Sequence, residues 1–209
     1  MTRTSWFWTL SFLAATTLAL TGWFNPVNHA VAIWLAPLGR EAYPINLIWV
    51  VGGVPLTLVA MVLLGWLKPG GWRWLIAFVG GILLEAMTKH WIATPMPVAT
   101  AEPHWLQTLE AWTNPTPADV TGVMKQFFSA TGQATRHQAF FRGSFFSGHV
   151  FRLTFVTGAL TGGRRWSVAL VAVIAGLCVV ATGGHWLLDV IGAFLLTQSG
   201  LSVLANVTR

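Results

Sequence analysis

Residues 185–206 read HWLLDVIGAFLLTQSGLSVLAN. Apart from Asp189 the stretch carries no Asp, Glu, Lys or Arg, and its apolar residues lack the every-second-residue alternation of a barrel strand. It is long enough for the roughly 20 residues of a membrane-spanning helix. His185 and Asp189 sit four residues apart near its start, which puts them on one helical face. A carboxylate one turn from an imidazole fixes the ring's tautomer and favours its charged form. An apolar helix with a polar pair at one end thus sets both the fold and the place to look for chemistry.

Five further stretches have the same character: 5–24, 45–67, 73–95, 144–162 and 166–183. The chain is therefore expected to be an all-α membrane protein with six transmembrane helices, forming a single integral membrane domain over 1–209. Residues 25–40 are weaker, and Val27, Ala30, Val31, Ile33, Trp34 and Leu35 fit a short helix lying in the interface. Arg3, the first apolar run and Ala30-Val31-Ala32 imitate a signal peptide. That run is long for the role and stands about ten residues from the cleavage-like site, so a retained first helix is expected.

The composition agrees. Of 209 residues, 55% are hydrophobic and 9% charged, against about 25% charged in soluble domains. Mean hydropathy is +0.64. The 13 Trp beside a single Tyr suit anchoring at membrane interfaces. A lone cysteine, Cys178, excludes an intrachain disulfide framework and a cysteine zinc site.

A net charge of +6 and a pI near 10.8 raise the possibility of a nucleic-acid partner. The basic residues are scattered singly or in one pair, however, and form no stripe, so no nucleic-acid partner is expected. Their positions read instead as orientation. Lys68 and Arg73 lie between spans two and three, Arg164 and Arg165 between spans four and five, and alternation adds Arg3 and Arg209 to the same side. That side is cytoplasmic by the excess of Lys and Arg in short loops. The expected location is the inner (plasma) membrane of a bacterium, with both termini in the cytoplasm. The opposite face receives 25–44, the turn at Thr182-Gly183-Gly184, and the long segment 96–143. That segment is Pro- and Thr-rich at first, with a helical pattern from Asp119 to Ser129, and reads as an outer-face cap between helices three and four.

Four charges remain at membrane depth: Glu85, Lys89, Arg152 and Asp189. Ionisable residues there are costly and mark function by default. The topology brings Lys89, His149 and His185 to one membrane face from three separate spans. Two histidines, one held by a carboxylate, supply a nucleophile and a general acid/base. Capping or anchoring of helix ends is the alternative reading of both rings. Ser147-Gly148-His149 opens span four, and a helix N-terminus suits an anion such as phosphate. Lys89 can reach the same anion or can snorkel to the headgroups. Arg152 lies at the depth of Glu85, one turn below Lys89, which predicts a Glu85–Arg152 contact with Glu85 also close to Lys89. Such a pair also has a purely structural reading, as two buried charges made tolerable by each other. Arg136, His137 and Arg142 precede span four and can fold over the site.

Taken in order, these residues resemble the type-2 phosphatidic acid phosphatase superfamily of membrane lipid phosphatases. The family's first motif, Lys, six residues, then Arg-Pro, is matched by Lys89-His90-Trp91-Ile92-Ala93-Thr94-Pro95-Met96-Pro97. Its Pro-Ser-Gly-His motif appears as Phe146-Ser147-Gly148-His149. Its third, Ser-Arg, five residues, His, three residues, Asp, appears as Cys178-Val179 followed at the same spacing by His185 and Asp189. Both motif arginines are replaced, by Met96 and Val179. Phe145-Phe146-Ser147-Gly148-His149 with His185 and Asp189 is also similar to sphingomyelin-synthase-like phosphotransferases.

The resemblance implies a metal-independent enzyme without a cofactor that breaks a phosphoester of a lipid phosphate at the outer membrane face. His185 would be the nucleophile, forming a phosphohistidine. Asp189 would hold its ring, and His149 would act as general acid and base. Lys89, Ser147 and Gly148 would bind substrate, and no metal site is expected. Beyond the resemblance, Arg152, on the same helix face as His149, and Arg142, just before span four, are candidates to bind substrate in place of the two missing arginines. Transfer of a phospho-headgroup between lipids is the first alternative. A catalytically degenerate lipid-binding or transport protein is the second.

Overall fold

The fold is given by a computed structural model, which describes residues 2–39, 43–92, 94, 97 and 143–207. The cap expected over most of 96–143, its helix at Asp119–Ser129, and Met96, Arg136, His137, Arg142 and Arg209 lie outside the described residues. Among those described there are eight α-helices and no strand. They are α1 (Arg3–Thr21), α2 (Asn25–Gly39), α3 (Tyr43–Val51), α4 (Val54–Leu67), α5 (Trp72–Trp91), α6 (Gly148–Thr161), α7 (Arg165–Ala181) and α8 (Leu187–Val207).

Five expected spans correspond to single helices, and the boundaries have local causes. Thr2 caps α1 by accepting from the Ser5 amide at 3.3 Å. Gly22 ends it in the left-handed region at φ +69°, its amide donating to the Leu18 carbonyl. After that turn α2 runs at 89° to α1, on residues expected to form a separate short helix. Segment 45–67, expected as one span, is instead broken into α3 and α4 at Gly52-Gly53. Pro55, which lacks an amide proton, stands in the first turn of α4. The break is stabilised from outside, because the Gly52 carbonyl accepts from Arg152 Nε at 2.7 Å. Irregular backbone at membrane depth survives where protein groups satisfy it.

By length and composition, Leu187–Ala205 within α8 qualifies as a spanning helix, α1 with α2 qualifies as a bent pair, and α4 and α7 are apolar but shorter. Helices α6 and α8 are central. The first packs on α3, α4, α5, α7 and α8, and the second on α1, α2, α5, α6 and α7. Phe78, Phe151 and Phe155 stack between α5 and α6, with ring centroids 5.5 to 6.2 Å apart. Thr154 and Thr197 share a hydroxyl hydrogen bond of 2.8 Å across α6 and α8.

Two distinct ends result. At one, Lys68 Nζ donates to the carbonyls of Ala159 and Leu160 at the C-terminus of α6, a favourable place for a cation. At the other, the Gly143 amide donates to the Lys89 carbonyl and the Leu188 amide to Asn28 Oδ1. The outer surface is apolar, and Trp6, Trp23, Trp66, Trp72, Trp91 and Trp166 are exposed at or next to helix ends. Four charged residues, Glu85, Lys89, Arg152 and Asp189, are buried inside, and the exposed ones described are Arg3, Lys68, Arg73, Arg164 and Arg165.

Candidate active site

The end of the bundle opposite Lys68 gathers the polar residues. Ser147 is the N-cap of α6, its hydroxyl accepting from the Val150 amide at 3.5 Å. That cap sets Gly148 and His149 as the first two helical residues, and their amides have no intrahelical acceptor. The Ser147 amide donates to the Asp189 carbonyl at 3.1 Å, which ties the Ser-Gly-His turn to the start of α8. Of the amides expected to face an anion, that of Ser147 is therefore already committed.

His185 precedes α8 in a turn closed by the Gly184 and His185 amides, both donating to the Val179 carbonyl at 3.1 and 3.2 Å. Its Nδ1 meets Asp189 Oδ2 at 3.2 Å, and the same oxygen accepts the Trp186 amide at 3.0 Å. One carboxylate oxygen is thereby held by two donors. With the proton on Nδ1, shared with the carboxylate, Nε2 carries the lone pair. His149 stands with its ring centroid 6.5 Å from that of His185, and neither of its ring nitrogens forms a hydrogen bond among the described residues. Two buried imidazoles thus face one another, one held and one uncommitted.

Trp49, missed by sequence reasoning, completes the pair. Its indole meets His149 edge-on at 4.6 Å and stacks on His185 at 6.2 Å. Gly184 passes so close to the indole that a β-carbon would overlap it. Gly52, at the helix break, faces His149, and a β-carbon there would stand 3.1 Å from the imidazole Cδ2. Nothing in the sequence distinguished Trp49 from the other tryptophans, all of which fit interfacial anchors.

The cations lie one layer away. Lys89 Nζ donates to Glu85 Oε1 at 2.7 Å, and Arg152 Nη1 donates to Glu85 Oε2 at 2.6 Å. The predicted Glu85–Arg152 contact is present. The Glu85 carboxylate rests on the Cα of Gly148. Val179, at the position of a motif arginine, is fully buried. Arg142 lies outside the described residues. Among those described, no group of three or more His, Cys, Asp or Glu is arranged to hold a metal ion.

The helices that carry these residues match a known architecture. The chain is similar to the crystal structure of the first transmembrane PAP2 type phosphatidylglycerolphosphate phosphatase from Bacillus subtilis, with a TM-score of 0.62 over 99% of this chain and 96% of that one. The fold is PAP2-type. Identity to that phosphatase is 18%, and no family model and no curated protein matches the chain. At one end of this fold Lys89, Ser147-Gly148-His149, His185 and Asp189 lie close together, and Val179 is buried.

Proposed function

We propose that the chain is an integral membrane enzyme that breaks a phosphoester of a membrane lipid through a histidine nucleophile, at the membrane face opposite the Lys- and Arg-rich loops. The observation that carries this reading is the His149–His185 pair, 6.5 Å between ring centroids, with His185 held by Asp189. That spacing is on the scale of one tetrahedral phosphoryl group. The apolar surface, the tryptophans at helix ends and the buried charges support the membrane assignment.

In the first step the Nε2 lone pair of His185 attacks phosphorus, and the bond from phosphorus to the lipid oxygen breaks. His149, protonated, gives its proton to that leaving oxygen. Water or an acceptor hydroxyl then attacks the phosphohistidine and loses its proton to His149 as the P–N bond breaks. Asp189 keeps the His185 ring oriented throughout. Lys89, Arg152 and the Gly148 and His149 amides stabilise charge on the non-bridging oxygens, with Ser147 setting the helix start.

Transfer of a phospho-headgroup to a second lipid is the alternative. It is favoured by Val179, because a site lacking that cation suits a phosphate of lower charge. The test is release of diacylglycerol, inorganic phosphate or a dephosphorylated lipid from a panel of lipid phosphates and glycerophospholipids by the detergent-solubilised chain, with and without a lipid alcohol as acceptor, against His185→Ala. Product that needs the acceptor selects transfer, and product without it selects hydrolysis. No product from the panel sinks the catalytic reading.

A further inference from the structure

Glu85 belongs to none of the three motif segments, yet it sets the charge of the site. One carboxylate oxygen holds Lys89 and the other holds Arg152. All three residues are buried, with 5%, 8% and 3% of their surface exposed for Glu85, Lys89 and Arg152. A carboxylate between two cations leaves that trio one net positive charge. The buried carboxylate of Asp189 is already engaged by His185 and by the Trp186 amide. No further cation comes from α7, where Val179 is fully buried. Gly148 makes this arrangement possible, because any β-carbon there would overlap the Glu85 carboxylate. The glutamate therefore lies at the N-terminal turn of α6, one residue from His149, where an incoming phosphate must be neutralised.

A phosphate monoester carries nearly two negative charges at neutral pH, whereas a phosphodiester carries one. In a buried site of low effective dielectric, a second uncompensated charge is strongly disfavoured. We propose that Glu85 is a specificity-determining residue that limits the site to a singly charged phosphodiester by holding Lys89 and Arg152 at one net positive charge. This rests on the reading of the site as a phosphoryl-transfer centre and names its substrate class, a phospholipid whose phosphate already bears a headgroup.

The experiment uses the full chain in mixed micelles with a lipid alcohol present, and two substrates of identical acyl chains, phosphatidylcholine and phosphatidate. Both yield diacylglycerol by cleavage of the same phosphorus–oxygen bond, the phosphoryl or phosphocholine group passing to water or the alcohol. The wild type is expected to favour phosphatidylcholine at least tenfold in kcat/KM, and Glu85→Gln to shift that ratio at least tenfold towards phosphatidate. A wild type that favours phosphatidate, or a ratio unmoved by the substitution, overturns the proposal. If neither substrate yields diacylglycerol, the charge is read without turnover, by calorimetric binding of inorganic phosphate at pH 8. Glu85→Gln is expected to bind phosphate at least tenfold more tightly than the wild type, and equal affinity overturns the proposal. If Glu85→Gln lacks a cooperative melt, Lys89→Gln moves the charge the other way while leaving Arg152 on Glu85 and on the Gly52 carbonyl. It is expected to weaken phosphate binding and widen the preference for phosphatidylcholine, and no change in either overturns the proposal equally.

Discussion

Glu85 and Gly148 touch: the carboxylate of the first lies on the Cα of the second, with no room for a β-carbon between them. The contact joins α5 to the opening turn of α6 and places a negative charge where the helix dipole favours one. It also presents that charge beside His149, with Lys89 and Arg152 drawn to it from either side. Local helix geometry and site electrostatics therefore depend on one small residue.

Gly148→Ala tests the contact. In an open helix position this change favours the helix by up to about 1 kcal/mol. Here the added methyl group must displace the Glu85 carboxylate, and overpacking of this kind costs about 1–3 kcal/mol. The expected result is a lower melting temperature together with reduced turnover. A variant that melts at or above the wild-type temperature contradicts the geometry.

Arg152→Met is expected to destabilise the chain by about 3–5 kcal/mol, because it leaves one buried carboxylate with half its partners and strips the Gly52 carbonyl of its donor. Combining it with Glu85→Gln removes the charges together, and much of the loss is expected to return. The measurement is a double-mutant cycle of thermal unfolding in detergent. Additive losses argue that the two side chains are not coupled.

Asp189→Asn keeps one oxygen that can still accept from both the Trp186 amide and His185 Nδ1, but it removes the negative charge. The imidazole then loses the carboxylate that stabilises its charged form. A fall in kcat of roughly a hundredfold to ten-thousandfold is expected, by analogy with the same change in a serine-protease triad, while KM and the melting temperature change little. A kcat within a few-fold of the wild type speaks against His185 as nucleophile.

The helices were legible because each apolar run is long, and α1, α4 and α6 end at Gly22, Lys68 and Gly162, residues that close a helix or start a turn. The site was legible in outline for a different reason. Lys89, His149 and His185 are polar residues at matching depths, and the Glu85–Arg152 pair followed from counting along two antiparallel helices. The break at Gly52-Gly53 was not legible, since two glycines within an apolar run scarcely alter its hydropathy and the group that stabilises the break, Arg152, is 100 residues away. Trp49 escaped for a similar reason. Its contacts are set by a tertiary arrangement of α3, α6 and the turn before α8, and periodicity carries no information about that.

The orientation of the bundle gives the last test. Lys68 is bonded to the end of α6, so the turn after α4 and the turn after α6 lie together at one end. Those turns carry Lys68, Arg73, Arg164 and Arg165, and an excess of Lys and Arg marks the cytoplasmic side. The turn between α1 and α2 falls at the other end, because Thr9 in the first half of α1 bonds Ser199 in the second half of α8, which makes the two helices antiparallel. With Cys178 replaced by Ser, single cysteines at exposed positions report the side directly. Trp23→Cys is expected to react with a membrane-impermeant maleimide on intact cells, and Arg164→Cys only after the membrane is opened. The reverse pattern would put both histidines on the cytoplasmic side and move the supply of substrate to the inner leaflet. Labelling of both positions on intact cells would mean that the bundle does not separate two compartments in the way the charge distribution requires.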